Sequence, residues 1–63
     1  MENRRAVLSS ASTTLEELVA RMAEAGEEAN TAGEESLAHD LFEVERTLRM
    51  AHRRLDGVNR RLR

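Results

Sequence analysis

Apolar residues recur at alternating steps of three and four along most of this chain, and that spacing restricts it to packed helices. The first series is Leu8, Ala11, Leu15, Leu18, Met22, Ala25 and Ala29. The second is Leu37, Leu41, Val44, Leu48, Ala51, Leu55, Val58 and Leu62. Each is a heptad seam, with Leu8 and Leu41 taken as a positions and Ala11 and Leu37 as d positions. A strand would need alternation by two, which neither series shows.

The phase breaks between the series, across the stretch NTAGEES. Asn30 and Gly33 tolerate the left-handed backbone that ends helices. Thr31 followed by Glu34 has the spacing of a capping box that would start the next helix. The pattern predicts an all-α chain: an antiparallel helical hairpin of two heptad-patterned helices, dimerising into a four-helix bundle. The expected bounds within a single 1–63 domain are helix one at about 6–29, a turn at about 30–33 and helix two at about 33–62. The start of helix one has an alternative. The run SSASTT is poor in helix formers, and Thr13 with Glu16, or Thr14 with Glu17, would cap a later start and leave residues 1–12 as a flexible arm. The seam continuing back through Ala11 and Leu8 favours the longer helix.

With the turn centred near Gly33, Ala29 faces Leu37, Ala25 faces Leu41, Leu15 faces Ala51 and Ala11 faces Leu55. Large repeatedly meets small, as close-packed layers require. Two stripes alone make a thin core, however, and a chain of 63 residues buries only about 60% of its unfolded surface. Proline, lysine and cysteine are all absent, so no disulfide compensates. A homodimer is the expected remedy. Its contact surface is assigned to Val19, Ala23, Gly26, Ala38 and Phe42, at e and b positions on one side of the hairpin.

Charge divides the chain. Residues 22–45 hold eight acids and no lysine or arginine, whereas the rest holds ten arginines and four acids. Folding into a hairpin makes the turn end acidic and the open end basic. Arg4, Arg5, Arg53, Arg54, Arg60, Arg61 and Arg63 form the basic cluster expected to meet an acidic protein surface. Arg60, Arg61 and Arg63 also suit a helix C-terminus, so part of this pattern is helix electrostatics. Within-helix pairs are expected between Glu17 and Arg21, Glu45 and Arg49, and Asp56 and Arg60.

Function classes narrow accordingly. His39 shares a helix face with Glu35 and Glu43, but the Glu-x-x-His spacing of di-metal bundles is missing, and this reads as a solvated face. The serines of LSSASTT have no His and carboxylate at a recognisable spacing, and no glycine-rich phosphate loop occurs. Neither enzyme activity, a metal nor a cofactor is therefore expected. No apolar run reaches the roughly 20 residues of a membrane span, and no signal-peptide pattern opens the sequence, so a cytoplasmic location is the expectation. The favoured function is a protein–protein interaction module, an adaptor or regulator. The alternative is a regulator that binds RNA or DNA through the arginine-rich open end, against which stand a net charge of −2 and a single aromatic residue, Phe42.

Overall fold

A computed structural model describes residues 3–62. These residues form two helices, α1 (Arg4–Thr31) and α2 (Glu35–Arg61), packed against each other as a hairpin, with no strand among them. The hairpin measures 49 × 17 × 12 Å.

Helix α1 starts because Asn3 caps it. Asn3 has extended backbone, and its side-chain oxygen accepts a hydrogen bond from the Ala6 N–H at 3.2 Å. Arg4 to Ser12 are helical, and Met1 and Glu2 lie outside the described residues. Thr13 and Thr14 sit inside the helix and cap nothing. Their hydroxyls donate to the Ser9 and Ser10 carbonyls, one turn back, at 3.3 and 3.1 Å. The weak propensity of SSASTT is overridden by packing, since Leu8, Ala11, Ser12 and Leu15 all turn toward α2.

The turn is short and closed by backbone alone. Gly33 has φ 81°. The Glu34 N–H donates to the Ala29 carbonyl at 2.9 Å and the Gly33 N–H to the Asn30 carbonyl at 3.1 Å. This pair of bonds is the Schellman closure of a helix end. The expected Thr31–Glu34 capping box does not form. Thr31 is the last residue of α1, while Glu34 occupies the N-cap of α2 without a side-chain capping bond. Backbone bonds satisfy the ends, which leaves the box nothing to do. A Cβ on Gly33 would meet no atom within 4 Å, so its glycine is required by dihedral angle and not by space. Gly33→Ala is expected to destabilise by about 1 kcal/mol, and Gly33→Asn by less. Thermal denaturation at one fixed concentration checks the order.

The contact between the helices is rotated from the a/d expectation. Helix α1 turns a, d and e residues inward, and its most buried residues are Ser12, Gly26 and Ala29. Helix α2 contributes Ala38, Leu41, Glu45, Leu48, His52, Leu55, Asn59 and Leu62, which are a and e positions. Its d residues Leu37, Val44 and Val58 are 47%, 44% and 36% exposed. Small residues cause the rotation. Gly26 lets the Phe42 ring lie so close that a Cβ at Gly26 would fall 2.6 Å from a ring carbon. No large side chain among the described residues is fully buried.

Candidate interaction surfaces

The rotation gives the hairpin two unlike sides. On the e/b side near the turn, Phe42 covers Gly26. On the same side near the open end, Arg5, Ser9, Ser12, Thr13, Asp56 and Asn59 line a polar cleft of about 340 Å³. Asn59 bridges the helices there, its amide donating to the Leu8 carbonyl at 3.4 Å. On the opposite, d side, the exposed Leu37, Val44 and Val58 run beside the half-buried Ala11, Leu18 and Ala25 of α1. A shallow groove lined by Ala25, Ala29, Leu37 and Leu41, together with Glu24, Glu28 and Glu34, marks that side near the turn.

The five residues assigned to an association surface therefore occupy different environments. Gly26 and Ala38 are buried in the hairpin's own contact, and Val19 and Ala23 are half-buried along it. Phe42 is 37% exposed, with its ring occupied by Gly26. The small residues Gly26 and Ala38 are each approached by the other helix of the same chain. The larger open apolar surface is the d side, where Leu37, Val44 and Val58 had been expected inside.

Six of the seven cluster arginines fall within the described residues; Arg63 lies outside them. Arg4, Arg5, Arg53, Arg54, Arg60 and Arg61 are all exposed and form no ion pair among the described residues. Of the expected within-helix pairs, Glu45 with Arg49 forms, and Arg46 lies 4.0 Å from Glu43. Glu17 with Arg21 and Asp56 with Arg60 do not pair.

Helix electrostatics explains these charges on one helix only. In α2, Glu35 sits in the first turn and Arg60 and Arg61 in the last, all matched to the helix dipole. In α1 the order is reversed: the first turn has no acid and begins with Arg4 and Arg5, and the last turn has no base. Glu27 and Glu28 instead stand near its C-terminal end. Each such mismatch costs about 0.3–1 kcal/mol at low salt. The charges of α1 thus follow the polarity of the hairpin and oppose that of their own helix.

Among the described residues no three His, Asp or Glu side chains are placed to hold a metal ion, and His39, Glu35 and Glu43 are exposed. Neither His39 nor His52 lines the polar cleft with its hydroxyl groups. No described helix is long and apolar enough to cross a membrane. Comparison with protein-family models, curated proteins and solved structures finds no match.

Proposed function

We propose that the chain is a non-enzymatic protein-interaction module, an adaptor or regulator, which works as a dimer of hairpins forming a four-helix bundle. The arginines of its open end meet an acidic surface on another protein. The observation that carries this reading is the placement of Arg4 and Arg5 at the N-terminus of α1. They oppose the dipole there, so helix stability gives no account of them, and folding sets them beside Arg60 and Arg61. Charge gathered at one end speeds association with an oppositely charged surface and fixes its orientation.

A protein partner is favoured over nucleic acid by the state of Phe42. The chain has a single aromatic ring, part of which lies against Gly26, so no series of rings is available for base stacking. The acidic turn half would also repel a phosphate backbone that ran along the hairpin.

The double substitution Arg4→Glu/Arg5→Glu separates binding from folding. It is expected to leave helicity intact or raise it slightly, because acids suit a helix N-terminus. It is also expected to abolish capture of an acidic protein in a pull-down from the host. A gel shift with arbitrary DNA and RNA at physiological salt is expected to show no complex. A shift that the same substitution removes would transfer the arginine end to the nucleic-acid reading.

A further inference from the structure

We infer that the d side of the hairpin is covered by a second copy of this chain, laid on it so that each turn lies over the other copy's open end. This rests on the oligomeric part of the function proposed above. Self-association is measured without any other protein, so its failure is separate from failure of the arginine-end test.

Area is the first argument. A compact monomer of 7.1 kDa exposes about 4,100 Å², whereas this chain exposes 5149 Å². The excess, about 1,000 Å², is close to the roughly 800 Å² that one partner contributes to a standard interface. The d side is where apolar surface remains to fill it: Leu37, Val44 and Val58 extend from the turn to the open end of α2. A surface that meets its own copy must be self-complementary about a two-fold axis, and a ribbon of d residues spaced by whole heptads along α2 meets that condition.

Charge decides the orientation. The g positions border the ribbon; the charged ones are Asp40, Arg54 and Arg61 on α2 and Arg21 and Glu28 on α1. Two face-to-face arrangements have two-fold symmetry. With both turns at one end, α2 lies over α1 of the second copy, and Asp40 borders the second copy's Glu28. That contact sets acid against acid, twice by symmetry. With the turns at opposite ends, α2 lies over α2 of the second copy. Asp40 then reaches the height of the second copy's Arg54, and the reciprocal pair repeats it. The second arrangement also sets each acidic turn half over a basic open end, and exposed opposite charges within a Debye length of about 8–10 Å attract each other.

Sedimentation equilibrium of the whole chain at tens of micromolar is expected to give a dimer mass, and a monomer mass there would overturn the inference. Val44→Glu is expected to weaken the dimer roughly 100-fold or more, since symmetry buries the new charge twice. Ala20→Glu, at an exposed f position on the face of α1 opposite the ribbon, is expected to change little. A dimer that tolerates Val44→Glu would show that the ribbon is not the interface. The absence of cysteine permits a test of orientation that places no charge in the ribbon. Oxidising a mixture of Leu37→Cys and Val58→Cys proteins is expected to cross-link them, while neither alone does so. With the turns at one end those positions would stand roughly 30 Å apart along the helix. No cross-link in the mixture, or a Leu37→Cys homodimer, would overturn the orientation. Should Val44→Glu also lose helix, the cysteine variants decide.

Discussion

Diluted from about 100 μM toward 1 μM, the protein is expected to lose helix and mass together, and its Tm to rise by several degrees for each tenfold increase in concentration. The reason lies in what the hairpin leaves uncovered. Its buried residues are Ser12, Gly26, Ala29 and Ala38, and no large side chain among the described residues is fully enclosed. Burying a Leu or Val side chain contributes about 1.5–3 kcal/mol relative to leaving it exposed, and Leu37, Val44 and Val58 realise only part of that within one chain. Protein helices owe most of their stability to packing of an apolar face. Covering the d side completes that packing, which couples folding to assembly. Circular dichroism melts across this range, beside sedimentation, measure the coupling. A Tm independent of concentration would mean that the hairpin is stable alone and that the open ribbon does not contribute to folding.

Substitution of Gly26 is expected to change sign with the residue at position 42. In the native chain a Cβ at position 26 would lie 2.6, 2.8 and 3.0 Å from three carbons of the Phe42 ring. Gly26→Ala must push the ring aside, and a loss of about 1 kcal/mol is expected, with Gly26→Leu costing about 2–3 kcal/mol. Once Phe42→Ala has removed the ring, the helix preference of alanine over glycine is unopposed. Gly26→Ala should then stabilise by up to about 1 kcal/mol. A double-mutant cycle at one fixed concentration reads the coupling directly. Stabilisation by Gly26→Ala in both backgrounds would show that the ring does not rest on Gly26.

Much of the fold was legible in the sequence because apolar spacing and helix breakers report local geometry. The seams from Leu8 and from Leu37 specify two helices, and Gly33 marks the reversal between them. The rotation about each helix axis was less legible. A heptad reading ranks positions by apolar size, which put Leu37, Val44 and Val58 inside. The closest approach of two backbones is set instead by the absence of side chain, and Gly26, Ala29 and Ala38 draw the contact toward the e positions. The clue was present, since Gly26 and Ala38 stand among the residues assigned to an association surface, but each neighbours the other helix of the same chain. Asn3 was a readable N-cap three residues before Ala6, yet the seam starts only at Leu8. Asn59 and Ser12 share the open-end cleft, although they are far apart in sequence and their types resemble ordinary surface residues. The arginine cluster was legible as composition; the opposition of Arg4 and Arg5 to their helix dipole required the start of α1 to be known.

The three-residue reversal at Ala32, Gly33 and Glu34 also sets the order in which the molecule comes apart. Contacts beside it join residues close in sequence, so the chain entropy of closing them is small, and three of the four most buried residues, Gly26, Ala29 and Ala38, lie there. The Asn59–Leu8 bond at the other end closes a loop of most of the chain, and the buried residue nearest it is a serine. Opening free energies therefore fall from the turn outward, and thermal fluctuations part the helices at the termini first. Arg4, Arg5, Arg60 and Arg61 ride on that fraying end. The surface carrying the positive charge can splay and re-close to fit the shape of what it meets, while the turn half keeps the two helices in register.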